Sequence, residues 1–217
     1  MRIAIIGAGN VGGALGKGWA RAGHTITYGV PDPADDKHRT AAEPAGGAGV
    51  FSVARAAQQA EAIVLAVPFD AVNNALAAAG DLRDRLLIDV TNPLRMGPDG
   101  LELSIGFDSS AAEYVASLAP GAAVFKTLNQ VGFEVMANTA GYAAAPVMFV
   151  AGDDVTRKPI VLGLVADLGF HPVDAGGLRV ARLLEPYGML WIHMALDRKA
   201  GRDNAFAYLA RGGGSAG

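Results

Sequence analysis

The chain has 217 residues, 51% hydrophobic and 18% charged, with a formal net charge of −3 and no cysteine. That composition supports a sizeable core and argues against a disordered chain. The mild acidity and the lack of a basic run argue against a nucleic-acid partner. Missing thiols exclude disulfides, thiolate metal sites and cysteine nucleophiles, and they fit a cytoplasmic protein. The longest apolar stretch, residues 183–196, is interrupted by Glu185, Pro186 and His193, and no charged leader precedes the first strand. Neither a membrane span nor a targeting segment is expected.

"RIAII" (2–6) reads as a buried strand, and residues 10–22 as a helix stopped by Gly23. "HTITYGV" (24–30) reads as a second strand. Residues 31–49 read as a loop rich in Pro, Asp and Gly. "GVFSV" is a short third strand and "ARAAQQA" the helix after it. "EAIVLAVP" (61–68) is a continuous apolar run, as expected of a parallel strand covered on both faces. A helix over "DAVNNALAAAG", a strand over 85–93, a Ser-capped helix over 109–119 and a strand over 122–128 follow. The alternation predicts βαβ units and a parallel sheet over residues 1–130.

Beyond Asn129 two strands, "APVMFVAGD" and "FHPVDAG", flank a helix. A long helical segment then runs from 178 to about 210, interrupted near Pro186 and Gly201. Residues 131–210 are read as a small C-terminal α/β lobe and 211–217 as a flexible tail.

Gly7, Gly9 and Gly12 form G-x-G-x-x-G between a strand and a helix. Gly7 permits the tight turn, Gly9 lets the backbone approach a pyrophosphate, and Gly12 packs helix on strand, with the phosphates at the helix N-terminus. The strand–turn–helix context separates this from a ligand-free glycine turn. An acid at the end of the second strand would accept from an NAD ribose, but Gly29, Val30 and Pro31 stand there. Its absence favours NADP(H), with Lys37, His38 and Arg39 in the following loop as cations for a 2′-phosphate; solvated loop charge is the other reading. Strand ends at Val67–Pro68 and at Thr91, Asn92 and Pro93 fall where open α/β sheets bind ligands.

Together "GAGNVGGAL", "ITYGV", "DVTNPL", "VFKTLNQVGFEVMAN", "VAGDD", "DAGGLRVARLLEP" and "GRDNAFAYL" resemble the deazaflavin-dependent NADP oxidoreductases. That family is similar to the cytosolic reductase domain of transmembrane metalloreductases. The resemblance implies a Rossmann α/β domain, a doubly wound parallel sheet, over residues 1–130 with a small C-terminal lobe. It also implies NADP(H) and hydride exchange with a small-molecule acceptor, a flavin or 5-deazaflavin, bound between the lobes. It assigns Gly7, Gly9, Asn10, Val11 and Gly12 to the pyrophosphate, Val67 and Pro68 to the cofactor wall, and Asn92 and Pro93 to the nicotinamide. Family members carry Ser or Thr and then Arg after the second strand; Val30 and Pro31 occupy those places here, which moves the 2′-phosphate role to Lys37 and Arg39. A homodimer is expected.

No side chain is assigned a catalytic role, because the cofactors carry the chemistry. Thr127, Asn129 and Gln130 read as a strand-end turn or as ring contacts. His24 reads as structural, and His193 as a core or interface residue. Asp153 and Asp154 read as caps, Asp174 as turn chemistry, and the cluster Leu183, Leu184, Met189, Trp191 and Ile192 as core or dimer surface. The four histidines show no metal spacing. A non-catalytic NADP(H) sensor and a carbonyl or imine reductase are the alternative functions.

Overall fold

The computed structural model describes residues 1–42, 45–98 and 100–211; the expected tail falls outside these beyond Arg211. Ten strands and eight α-helices are described: β1 (Arg2–Ile6), α1 (Asn10–Arg21), β2 (Thr25–Val30), α2 (Asp36–Ala42), β3 (Gly49–Ser52), α3 (Val53–Gln59), β4 (Ala62–Leu65), α4 (Val72–Ala79), β5 (Leu86–Asp89), β6 (Leu94–Gly97), β7 (Gly100–Leu103), α5 (Ala111–Leu118), β8 (Ala123–Lys126), α6 (Phe133–Ala137), β9 (Val147–Gly152), α7 (Lys158–Asp167), β10 (His171–Gly176) and α8 (Ala181–Leu196). Eight strands form one sheet in the order β10-β9-β8-β5-β4-β1-β2-β3. The six from β3 to β8 run parallel, so the fold is the expected Rossmann α/β architecture. The strand order reverses between β1 and β4, which opens a crevice at their carboxyl ends.

The central strands alternate their burial. Ile3 and Ile5 enter the core shared with α1 and α7, where Leu15, Trp19, Tyr28 and Leu164 are also buried. Ala4 and Ile6 point to the opposite face and pack with Val53, Ile63, Leu65, Leu76 and Val115. Both faces of the sheet are therefore dry, the condition that continuous apolar strands satisfy.

Helix α1 carries four glycines, Gly12, Gly13, Gly16 and Gly18, which lowers its intrinsic helix propensity. Its stability comes from close packing. A Cβ on Gly16 would strike the Tyr28 hydroxyl, and one on Gly18 would strike Leu168. Burial pushes the Tyr28 phenol up to about 12, so the hydroxyl stays protonated and donates to the Gly12 carbonyl at 3.4 Å. Trp19 is fully buried and donates from Nε1 to the Leu164 carbonyl at 2.8 Å. That bond fastens α1, at the centre of the sheet, to α7 in the C-terminal part.

Four features depart from the reading of the sequence. First, the strands of the C-terminal part continue the same sheet: β9 pairs antiparallel with β8, and β10 pairs parallel with β9. This covers the β8 edge, which would otherwise present unpaired backbone groups. Second, residues 36–42 of the expected loop form α2, whose first turn carries Asp36 and a bond from the Lys37 amide to the Asp35 carboxylate at 3.0 Å. Third, β6 and β7 pair antiparallel as a two-stranded hairpin where the sequence reading places no element.

Fourth, α8 runs unbroken through Pro186 and stops at Leu196. Pro186 lies on the exposed side, while Leu184, Gly188 and Trp191 hold the buried side. Left-handed Lys199 (φ 55°) and Gly201 (φ 83°) then end helical geometry. The chain continues without regular structure and is tied to β9, where Val147 N–H donates to the Phe206 carbonyl at 2.9 Å. No helix among the described residues is long and apolar enough to cross a membrane.

Trp19→Phe removes both the indole bond and part of the ring volume. It should lower unfolding free energy by about 1–3 kcal/mol in urea melts, because it leaves a buried carbonyl without its donor. An unchanged urea midpoint would show that α1 and α7 do not depend on this bond.

Candidate functional site

The turn from β1 into α1 takes its shape from contacts at two of its three glycines. Gly7 has φ +106°, and a Cβ there would run into the Ala66 carbonyl. A Cβ on Gly12 would run into the carbonyl of Gly7. Gly9 differs: no atom lies within 4 Å of its Cβ position. No structural neighbour requires glycine there, and the residue faces an open cleft.

Helix α1 begins beside it without a side-chain cap and without an acid in its first turn. The Gly13 N–H makes the bond to the Gly9 carbonyl at 2.8 Å, so the amides of Asn10, Val11 and Gly12 precede the first helical bond. Uncapped amides and the positive end of the helix dipole make an anion site. An Ala or Ser at Gly9 would fill the space above them.

The cleft has two communicating chambers. The larger, about 420 Å³, is lined by Gly9, Asn10 and Val11 from the glycine turn, Val67, Pro68 and Phe69 after β4, and Thr91, Asn92 and Leu94 after β5. The smaller, about 260 Å³, is lined mostly by Leu101, Val131, Gly132, Trp191, Ile192 and Leu196. Val11, Asn92, Leu94, Phe133 and Arg202 border both. The first chamber lies at the switch point of the sheet, and the second is walled by the C-terminal part.

The polar groups on the floor are held in place. Asn92 Nδ2 donates to the Asn129 carbonyl at 2.8 Å, and Asn129 Nδ2 donates back to Asn92 Oδ1 at 3.0 Å. Each side chain of this kind offers two donors and two acceptor lone pairs, so Asn92 keeps one of each for a ligand. Thr91 is buried and lines the larger chamber, and its hydroxyl has no partner among the described residues. An orphaned hydroxyl at a cleft floor fits a polar ligand group such as a nicotinamide carboxamide.

Beneath this floor lies a buried ion cluster. Lys126 Nζ donates to Asp89 Oδ2 at 2.9 Å and to the Thr91 carbonyl at 2.6 Å, and it lies 3.1 Å from Glu185 Oε1. All three side chains are essentially inaccessible. Glu185 also accepts from the Ala111 and Ala112 amides at 2.8 and 3.1 Å, at the start of α5. Burial pushes the Glu185 carboxyl above its ordinary range, against the pull of Lys126 and the Ala111 amide.

The structure brings together Gly9, Asn10, Val11, Val67, Pro68 and Asn92, and it keeps Gly7 and Gly12 beneath them as packing. Pro93 does not line the cleft; its carbonyl accepts from Ser104 N at 2.7 Å and closes the base of the hairpin. Val30 is buried in the core, so its side chain cannot contact a cofactor. Lys37 is paired with Asp35 at 2.9 Å and Arg39 with Asp36, on exposed α2. Arg39 borders a separate hollow with Pro33, Ala42, Gly47, Ala48 and Val50.

Gln130 is engaged by both atoms of Phe149's backbone amide and carbonyl pairing, at 3.0 Å each, and serves the fold. The Thr127 hydroxyl is buried without a partner among the described residues. Asp154 caps the start of the segment into α7, Asp153 accepts from Leu178 N, and Asp174 pairs with Lys158. His24 joins Asp167 at 2.9 Å. His193, read as a core or interface residue, is half exposed and pairs with Asp197, so it is not part of the core. Leu184 and Trp191 are buried, whereas Leu183 and Leu190 are exposed on the other side of α8.

Sequence reasoning passed over Lys126, Asp89, Glu185 and Arg202. The first three had a signal: single charges set into apolar runs, "AVFK", "LLID" and "LLEPYGMLW", which must find partners if those runs are buried. Arg202 had none.

Residues 2–93 match the family described as NADP oxidoreductase coenzyme F420-dependent. A solved structure from Arthrobacter sp. FB24, described as a candidate F420-dependent NADP reductase, superposes with a TM-score of 0.88. It shares 28% identity over 97% of this chain and 100% of that one. The metalloreductase STEAP3 of Rattus norvegicus is 27% identical over 85% of this chain, which spans 36% of that relative's length. An imine reductase from Myxococcus stipitatus, in complex with NADP+, shares the fold at a TM-score of 0.68 and 18% identity, over 92% of this chain and 63% of that one.

Two outcomes follow from the geometry. Gly9→Ala should melt like the parent without ligand yet lose most NADPH affinity, whereas Gly12→Val should lose stability and binding together; apo melting curves and NADPH titrations read both. Tight NADPH binding by Gly9→Ala would refute the cofactor site. Lys126→Met leaves two carboxylates buried without their cation, a loss of about 3–5 kcal/mol. Glu185 titrates above its unfolded value, so its contribution is present at acid pH and is lost as pH rises through the folded value. Without the cation that value rises further, so the stability deficit should be larger at about pH 8 than at about pH 5; a pH-independent deficit would contradict the charge argument.

Proposed function

We propose that this chain, whose residues 2–93 match the family of coenzyme F420-dependent NADP oxidoreductases, exchanges a hydride between NADP(H) and a flat conjugated ring, a 5-deazaflavin or flavin. The observation that carries this reading is the pair of joined chambers, one beside the uncapped α1 amides and the other apolar and walled by Trp191 and Ile192. The Asn10, Val11 and Gly12 amides would hold the pyrophosphate. Thr91 and Asn92 would orient the nicotinamide, and Val67 and Pro68 would form its wall. NADP(H) supplies the hydride.

The lining also favours a ring over a simple carbonyl. Among the described residues bordering both chambers, Arg202 is the one charged side chain. No carboxyl or imidazole lines them. Reduction of a ketone needs a proton delivered to the nascent alkoxide. A conjugated ring spreads the incoming charge and takes its proton from water later. What the protein must do is align two rings and exclude solvent, and an apolar chamber serves that purpose.

The family and the missing acid after β2 support NADP(H) over NAD(H). The test is oxidation of NADPH and NADH with a 5-deazaflavin, FMN, a ketone and an imine. Turnover with the ring acceptors, faster with NADPH, is expected. Turnover of the ketone or imine alone, or cofactor binding without any turnover, would overturn the proposal in favour of a carbonyl or imine reductase or of a sensor.

A further inference from the structure

Resting on the reading that the acceptor is a conjugated ring, we infer that Arg202 recognises that ring through an oxygen that becomes negative as the ring is reduced. Arg202 borders both chambers and carries the only charge on their described lining. Its Nε is committed to Glu134 Oε1, and this is the one hydrogen bond it makes among the described residues. The guanidinium carbon lies 5.3 Å from the centre of the Phe133 ring. Five N–H groups in a planar fork with one engaged leave the outer donors for a ligand.

The position of Arg202 is built. The segment that carries it is tied down at two points. Trp191 Nε1 donates to the Asn204 carbonyl at 2.7 Å, the Tyr142 hydroxyl donates to the Asp203 carbonyl at 2.8 Å, and Gly132 leaves room for the Glu134 carboxylate that holds Arg202 and for the Trp191 ring. A mobile surface arginine has no such anchoring.

The chemistry calls for a cation here. As the dihydronicotinamide C–H bond breaks and a new bond to that hydrogen forms on the acceptor ring, C–H at C5 of a deazaflavin or N–H at N5 of a flavin, the displaced electron pair moves through the conjugated system. It settles on a ring nitrogen and the adjoining carbonyl oxygen, and the acceptor stays anionic until it takes a proton from water. In a chamber lined by Leu101, Val131 and Ile192, that charge would be costly without a partner. A guanidinium placed in advance stabilises it most when it is largest, in the transition state and product.

The test uses Arg202→Met and Arg202→Lys with riboflavin, 5-deazariboflavin and FMN. It measures ring binding by fluorescence quenching without cofactor, turnover with NADPH, NADPH affinity, and apo melting. Arg202→Met should lose about 10²-fold in kcat/KM, mostly in kcat, and should bind all three rings more weakly. It should bind NADPH and melt like the parent, and Arg202→Lys should recover part of the loss. A fall in NADPH affinity with ring binding intact would reassign Arg202 to the cofactor. A defect confined to FMN would reassign it to the phosphate tail, and no defect at all would leave it a structural partner of Glu134. If the parent protein neither binds nor turns over any ring, the acceptor reading fails before any variant is made, and this inference falls with it.

Discussion

Lys126 sits buried between Asp89 and Glu185 at the carboxyl ends of the strands, and the shape of the cleft depends on it. Its three protons meet three acceptors: two carboxylates and the Thr91 carbonyl. The spare capacity of Glu185 is taken up by the first amides of α5. A buried charge is tolerated only when it is satisfied in this way. The consequence is positional: one ammonium fixes the loop after β5, the end of β8, the start of α5 and the middle of α8. The first of these carries Thr91 and Asn92, and the last carries Trp191. Both walls of the cleft are therefore referred to one point.

Close backbone approach completes the frame. Gly188 brings α8 against the Asn129 carbonyl, where a Cβ would sit at 2.6 Å. Asn129 in turn donates to the Leu184 carbonyl at 3.1 Å and grips Asn92. On the other side of the cleft, Gly7 and Gly12 seat α1 on the sheet. Gly9 alone is free of such contacts, and that freedom marks the surface a ligand would cover. Packing and binding are thus divided among glycines only a few residues apart.

The cleft enclosed by these elements is poor in groups that move protons. Its floor holds amides and a hydroxyl, its far wall is aromatic and aliphatic, and its one cation stands at the junction of the chambers. Such a site suits a reaction in which hydrogen and its electron pair travel together and the protein orients, dries and polarises. The hairpin of β6 and β7 contributes Leu94 and Leu101 to the lining, closed at its base by Pro93 and Ser104.

Much of this was legible locally. The strands of the parallel sheet, the glycine turn, the Ser110 cap of α5 and the strand-end residues Val67, Pro68 and Asn92 each follow from patterns within a dozen residues. Period and turn chemistry are local properties, and here they agree with the fold. Where the sequence misled, tertiary contacts had decided. Pro186 argues for a break, yet packing of Leu184, Gly188 and Trp191 carries α8 through it. Residues 201–210 read as part of a helix, but their course depends on left-handed Lys199 and Gly201 and on bonds to Val147 and Trp191, which lie far away in sequence. Val30, Lys37 and Arg39 stand at the expected distance from the glycines, but the Val30 side chain is buried in the core, and Lys37 and Arg39 pair with Asp35 and Asp36 on the surface. Sequence alone determined that a dinucleotide fold begins at Arg2 and where its ligand crevice opens. Only the tertiary structure joined Lys126 to Asp89 and Glu185 and brought Arg202 to the cleft, because those meetings depend on long-range packing that no local pattern encodes.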